Sequence, residues 1–380
     1  MKVLHMLKVL HILTDTNIGG AGKCVLALGD WAAGNNYKGC MEVILPVGSA
    51  LKPEFDARLI PVYEAERIND KSFDLRAVKA VKQIIERAAP DIVHTHAALS
   101  GRIAARLYGR VKIVSTRHSV FDLSPGDISL RRRLAVRVIN GLFSDAIIAV
   151  SPAVEDNLIK LGTPRGKIRM IFNGVPRAEV FEWDKRGRIR AAYGLSRNDF
   201  IVSIIARLSQ EKDHDTVLDA AKKIMHMDKS VRFLIAGAGP MESHLKKRVQ
   251  EEEIKNVIFT GFIKDIVNIE NITDLQINAS IGTEATSMAM ISGMSLGIPA
   301  VASDFGGNPY VVADGVNGLL FPKRGSQAMA NAIMSVRRNR EMYDDMSFQA
   351  METYETRFTL NSMGSQTFEL YEELCGRRPL

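Results

Sequence analysis

Residues 278–312 read NASIGTEATSMAMISGMSLGIPAVASDFGGNPYVV. The stretch has the form of a strand end, an acidic loop, a small-residue helix, a buried strand and a glycine loop. Glu284 is its only acid before Asp304, and Ser287, Ala289, Ser292, Gly293, Ser295 and Gly297 keep the middle segment slim. Residues 298–302 (IPAVA) form a short apolar run, and Asp304-Phe305-Gly306-Gly307-Asn308-Pro309 is turn chemistry. Ligands of open parallel sheets bind outside the carboxyl ends of the strands, and two such ends fall within about 25 residues here, so this is the expected ligand site.

Outward from it, strand and helix signals alternate. Strands are expected at 200–205, 232–236, 257–260 and 318–321, with helices at 216–225, 241–252, 327–337, 340–354 and 359–374. The first half repeats the theme. Strands are expected at 9–13, 42–45, 57–62, 91–96, 112–116, 145–150 and 167–173. Helices are expected at 23–33, 74–88 and 130–142, with a further one capped by Ser151-Pro152. Residues 175–199 break the pattern and read as a connector carrying a helix at 186–193. Alternation at this spacing implies parallel sheets. The expected fold class is α/β, two Rossmann-like doubly wound domains facing a cleft. The first spans 1–173, with a helix at about 359–380 packing back on it, and the second spans 174–358.

The first strand runs into TDTNIGGAG (14–22), a glycine loop before a helix, which is the phosphate-binding start of a doubly wound fold. Gly19, Gly20 and Gly22 lack the GxGxxG spacing, and Cys24 after Gly22-Lys23 excludes a P-loop. An ordinary tight turn remains the alternative reading.

The 380 residues, 46% apolar and 24% charged, have the composition of a soluble globular protein, and no apolar run approaches the ~20 residues of a membrane span. The start, MKVLHMLKVLHIL, lacks a cleavage site and reads as a buried strand; VLHML and VLHIL nearly repeat, which makes Met6 an alternative start to Met1. Cys24, Cys40 and Cys375 are isolated, as expected in a reducing cytoplasm without disulfides or zinc. Residues 1–172 carry a net +9 and the remainder −2, so the first half favours an anionic partner. Arg131, Arg132, Arg133 and Arg137 share one helical stretch. That face suits peripheral contact with an anionic membrane or a lipid-pyrophosphate acceptor; a solvated helix face is the alternative. No aromatic platform accompanies the charge, which argues against nucleic acid.

These motifs, in this order, resemble the GT-B glycosyltransferases of family 4 across nearly the whole chain. The resemblance rests on Gly19-Gly20-Ala21, Thr116-Arg117-His118, Asn173-Gly174-Val175, Ala206-Arg207 with Glu211-Lys212, and Ala236-Gly237-Ala238-Gly239-Pro240. Phe259-Thr260-Gly261, Glu284 through Gly297-Ile298-Pro299, and Asp304 with Gly306-Gly307-Asn308-Pro309 complete it. It implies sugar transfer from a UDP- or GDP-sugar donor with retention, without metal or cofactor. The acceptor would be a glycan or lipid-linked molecule of bacterial cell-surface polysaccharide synthesis. The place would be the cytoplasm or the inner face of the membrane.

The residue chemistry agrees. A departing diphosphate needs positive charge where its own charge develops, and Arg207 and Lys212, five residues apart past a strand end, supply it. By resemblance Glu284 orients the donor sugar, and His118 and Gly20 shape the cleft. Gly237, Gly239 and Gly261 line the base, while Gly306, Gly307 and Asn308 offer backbone donors to phosphate or sugar. The second Glu of the E-x7-E motif is replaced by Ser292, which weakens the expected ribose contact. His94 and His96 bracket a strand end without an assigned role. Asp213-His214-Asp215 reads as a helix start rather than a metal-binding triplet. Two competing readings are a non-catalytic relative that binds a sugar nucleotide or a partner transferase, and a GT-B epimerase or phosphorylase.

Overall fold

A computed structural model describes residues 7–68 and 73–377; the two candidate start methionines lie outside these residues. The chain divides into two compact units: residues 1–119, 123–175 and 360–380 in one, and 120–122 with 176–359 in the other.

The first unit is built on a seven-stranded sheet: β1 (Val9–Ile12), β2 (Met41–Pro46), β3 (Val62–Ala65), β4 (Ile92–His96), β5 (Lys112–Arg117), β6 (Ala146–Ala149) and β7 (Ile168–Met170). The order is β3-β2-β1-β4-β5-β6-β7, and every pairing is parallel. The central strands β1 and β4 are buried along their whole length, as expected of strands covered by helices on both faces. The helix Leu75–Ala88 covers one face through Val78, Val81, Ile84 and Ile85. Its first turn is closed by Asp74, whose carboxylate accepts from the amides of Arg76 and Ala77. The helix Leu360–Leu374 packs on Gly20–Ala33; a Cβ on Gly364 would fall 2.3 Å from the Trp31 ring, so only glycine lets the helices meet there.

The second unit holds a six-stranded parallel sheet: β8 (Phe200–Ile205), β9 (Val231–Ala236), β10 (Val257–Gly261), β11 (Leu275–Asn278), β12 (Ala300–Ser303) and β13 (Gly318–Phe321). The order is β10-β9-β8-β11-β12-β13, so the strand sequence reverses between β8 and β11. That reversal is a topological switch point, where a doubly wound sheet opens a crevice at its carboxyl end. The core joins β8, β9 and β11 to the helices His214–Met227 and Ser326–Arg338 through Val202, Phe233, Leu218, Ile224 and Ile333.

Three sequence expectations need correction. Residues 57–62 are not a strand: Leu59 turns left-handed at φ 56°, and the third strand starts only after Pro61, which lacks an N–H. The helix expected from Lys23 begins at Gly20, so part of the glycine loop is its first turn. Ser151 occupies the cap position of the helix Pro152–Lys160, but its hydroxyl makes no cap bond and is buried without a partner.

Candidate active site

In the second unit the switch point brings together two segments 72 residues apart. After β8 the chain makes a 3-10 turn at Gln210–Lys212, and after β11 it reaches Glu284. The Lys212 ammonium lies 2.6 Å from Glu284 Oε2 and 3.3 Å from Ser280 Oγ. The same Oε2 accepts from Ser280 Oγ at 2.8 Å and from Asn278 Nδ2 at 3.1 Å. Three donors thus converge on one oxygen of the carboxylate. Burial alone would raise the Glu284 carboxyl; the Lys212 charge and the hydrogen bonds from Lys212, Asn278 and Ser280 outweigh it and hold the group below the usual carboxylate range. Arg207, just past β8, is exposed. Burial would raise Glu211 as well, but its bond from Ser209 Oγ, with Lys212 and Arg207 nearby, keeps it ionised. Two cations and a locked carboxylate therefore stand at the ligand end of this sheet.

The glycines act on backbone packing. Gly306 adopts φ 59°, and a Cβ there would sit 2.3 Å from the Glu284 carbonyl; at Gly307 a Cβ would sit 1.7 Å from the Ala285 carbonyl. The loop thus lies directly on the segment that carries Glu284, and the Gly307 amide donates to the Glu284 carbonyl at 3.0 Å. The amides of Asp304, Phe305 and Asn308 are likewise taken by the carbonyls of Phe321, Ser303 and Phe305, so of the expected backbone donors those of Gly307 and Asn308 are engaged within the chain. The Asn308 side chain is fully buried and donates to the Ser303 carbonyl at 3.1 Å, bracing the loop from within. Gly237 (φ 152°) and Gly239 bring the loop after β9 against the backbone of Ala206 and Leu208, and the Gly237 amide donates to the Gly261 carbonyl at 2.9 Å. Ser292 is buried in the helix Met288–Met294 and donates to Glu270 Oε2 at 2.9 Å.

Asp213 caps the helix His214–Met227 in a left-handed conformation and accepts from Thr216 Oγ1, while Asp215 pairs with His244 and Arg248. The two carboxylates are engaged on separate partners. A crevice of about 210 Å3 lined by Trp183, Arg186, Arg190 and Arg337 lies at the amino ends of β8 and β11, away from these groups.

In the first unit, Gly19 precedes the helix Gly20–Ala33, and a Cβ on Gly20 would meet nothing within 4 Å. At Gly22 it would strike Leu51, so Gly22 is the packing glycine of this loop. Four histidines gather at the carboxyl ends of β1, β4 and β5. His11 Nδ1 lies 3.1 Å from His96 Nε2, and His96 Nδ1 lies 2.8 Å from His118 Nε2. His94 bonds Tyr371 and Thr116 through its two nitrogens, at 2.5 and 2.6 Å. One nitrogen each of His11, His94 and His96 falls within 4.8 Å of the others, a spacing open to a metal ion, but these rings are engaged in the bonds just given. Burial pushes His11 down to about 3 and His118 to about 4, and holds His94 and His96 well below the imidazole range. Sequence reasoning missed His11, Asn278, Ser280, Glu270 and Tyr371. Asn278 and Ser280 lie within six residues of Glu284 in the stretch already singled out, whereas His11, Glu270 and Tyr371 reach their partners only through the tertiary fold.

Two family models match the chain: "Glycosyltransferase Family 4" over residues 18–179 and "Glycosyl transferases group 1" over residues 185–353. The chain is 28% identical over 295 residues to the putative glycosyltransferase EpsD of Bacillus subtilis strain 168, covering 74% of this chain and 76% of EpsD. It is 27% identical over 274 residues to the UDP-Gal:alpha-D-GlcNAc-diphosphoundecaprenol alpha-1,3-galactosyltransferase of Escherichia coli, covering 69% and 70% of the two chains. The fold is that of Anabaena HepE, solved with UDP and glucose, at a TM-score of 0.82 and 24% identity over 96% of this chain and 99% of HepE. The two matched regions fall one in each unit and together take in most of the sequence, and the chain belongs to the group 1 and family 4 glycosyltransferases of GT-B fold.

Proposed function

We propose that the chain transfers a sugar from a UDP- or GDP-sugar to a glycan or lipid-linked acceptor in cell-surface polysaccharide synthesis, with retention and without a metal. The observation that carries the reading is the fixed carboxylate of Glu284 at the switch point, locked through one oxygen by Lys212, Ser280 and Asn278. It offers its other oxygen to donor-sugar hydroxyls while Lys212 and Arg207 stabilise the departing diphosphate. Gly237, Gly239 and Gly261 shape the donor subsites of the second unit, and Gly19, Gly20 and His118 are the residues proposed to meet substrate in the first unit. The lipid-linked acceptor is favoured by the diphosphoundecaprenol in the name of the Escherichia coli relative.

The helix Leu130–Phe143 supports work at a membrane surface. Leu130, Leu134, Val138 and Leu142 recur every four residues and are all exposed, so they form one apolar stripe, and Arg131, Arg132, Arg133 and Arg137 flank it. An apolar stripe with basic flanks suits an anionic bilayer surface. Among the described residues no helix is long and apolar enough to cross a membrane.

The test is a panel of nucleotide-sugar donors scored by thermal shift, then by turnover with lipid-linked acceptors in the presence of EDTA. A donor that raises Tm and is consumed despite EDTA supports the reading. Binding without turnover in any acceptor mixture identifies a binding-only relative. Arg207→Ala is expected to lower kcat/KM on the order of 100-fold while Tm holds.

A further inference from the structure

The row His11–His96–His118 constrains its own protons. A neutral imidazole donates through one nitrogen and accepts through the other, so the direction of one bond in the row fixes all the others. The three rings lie nearly parallel, at 18° and 21°, with centroids 5.4 and 5.1 Å apart. With nitrogens 3.1 and 2.8 Å apart, that is the edge-to-edge arrangement of N–H···N bonds rather than face-to-face stacking. His94 lies outside the row: its nitrogens are taken by Tyr371 and Thr116, and it lies nearly parallel to His96 at 4.4 Å.

Two proton arrangements satisfy both bonds. In the inward one, His118 Nε2–H donates to His96 and His96 Nε2–H donates to His11, which leaves a proton on His11 Nε2. In the outward one, His11 Nδ1–H donates to His96 and His96 Nδ1–H donates to His118, which leaves His11 Nε2 as a bare lone pair. His11 is fully buried, and its Nε2 has no hydrogen-bond partner. A buried N–H without an acceptor is rarer and costlier than an under-used lone pair. The outward arrangement leaves no orphan donor.

We infer that the row is polarised outward, with His11 and His96 acting as positioning residues that hold His118 in the Nδ1–H tautomer. Full burial of His11 and His96 and partial burial of His118 keep the three rings uncharged near neutrality, which the scheme requires. His118, the half-buried end of the row, then offers a hydrogen-bond donor at Nδ1 and has no free lone pair with which to take a proton. Resting on the glycosyl-transfer reading, this makes His118 a donor to a sugar or acceptor oxygen and excludes it as the general base.

Long-range 1H–15N correlation of histidine-labelled full-length protein at neutral pH reads the tautomers directly. Nδ1–H signals for His11, His96 and His118 are expected; an Nε2–H signal for His118 overturns the inference. His11→Asp replaces the donor at the inner end with an acceptor and is expected to switch His118 to Nε2–H. His11→Asn keeps a donor at the Nδ1 position and is expected to preserve the original tautomer. If His118 is unaffected by His11→Asp in a folded protein, the row does not set its tautomer. If His11→Asp fails to fold, the wild-type spectrum alone decides. In turnover assays His11→Asp should lower kcat on the order of 10- to 100-fold with donor KM little changed, and His11→Asn should recover most of the loss. A switched tautomer with undiminished kcat would leave the polarity intact and overturn the role given to His118 in transfer.

Discussion

Lys212 Nζ and Glu284 Oε2 stand 2.6 Å apart, with the glutamate side chain 7% exposed and the lysine 24%. Removing either partner has unequal consequences. Lys212→Ala leaves a carboxylate in a closed site without its cation, and the loss of stability should be roughly 3–5 kcal/mol. Glu284→Gln leaves only a partly exposed ammonium, which water can reach, and should cost less. Equilibrium urea unfolding of the two variants checks the order.

The same pair predicts a pH dependence. The Glu284 pKa is lower in the folded chain than its ordinary 4.5. The stability it contributes is therefore present above that value and is lost as pH falls through the lower folded value. In Lys212→Ala the burial effect is left less opposed and the pKa rises, so acidification relieves part of the penalty. The gap in Tm between wild type and Lys212→Ala should narrow as the pH falls towards and below the ordinary glutamate value of 4.5. A constant gap would show that Glu284 ionisation is not coupled to Lys212.

Ser292 gives a prediction that the sequence alone would misdirect. From the motif, Ser292→Glu should tighten nucleotide binding. In the folded chain Ser292 Oγ is 2.9 Å from the buried Glu270 carboxylate, so a new glutamate would set two acids against each other. The single variant should lose roughly 3 kcal/mol of stability, and Glu270→Gln in the same chain should restore most of it. Nucleotide affinity, measured calorimetrically, should rise only in the double variant. A Ser292→Glu protein as stable as its parent would refute the contact.

Gly307 and Gly20 should respond oppositely to alanine. At Gly307 the added methyl meets the Ala285 backbone at 1.7 Å, and the Glu284 segment must move; a loss of about 1–3 kcal/mol and of donor binding is expected. At Gly20 nothing stands within 4 Å, so stability should change by no more than about 0.5 kcal/mol. If Gly20→Ala nonetheless weakens donor binding, the ligand itself is what approaches that position.

The stripe on Leu130–Phe143 can be tested without a substrate. Leu134→Asp with Val138→Asp should abolish sedimentation with anionic vesicles while Tm holds, because both side chains are already exposed. Changing the arginines to glutamine should weaken binding most at low salt. Undiminished binding of the aspartate variant would show that the stripe does not meet lipid.

Much of the architecture was legible because local signals and tertiary context agree. β8 and β13 fall at the expected residues, since each is a short apolar run bounded by turn chemistry. The Arg207, Lys212 and Glu284 positions were legible as strand-end residues for the same reason. Residues 57–62 misled because Leu59 and Ile60 mimic a strand, although Pro61 prevents one from starting there. The histidine row was illegible. His11 and His96 are 85 residues apart and meet only because β1 and β4 are neighbours in a strand order that no local pattern encodes. Glu270 was hidden similarly, in a four-residue helix too short for a periodic signal.

His94 is anchored by Tyr371, and the Trp31 ring is closed over by Gly364, both on a helix that follows the entire second unit in the chain. During synthesis the second unit, continuous from residue 176 to 359 apart from three residues, leaves the ribosome before the first can be finished. Nascent chains thus pass through an interval in which a complete second unit is attached to a first unit whose histidines lack their last neighbour. The order of maturation is the reverse of the order of coding.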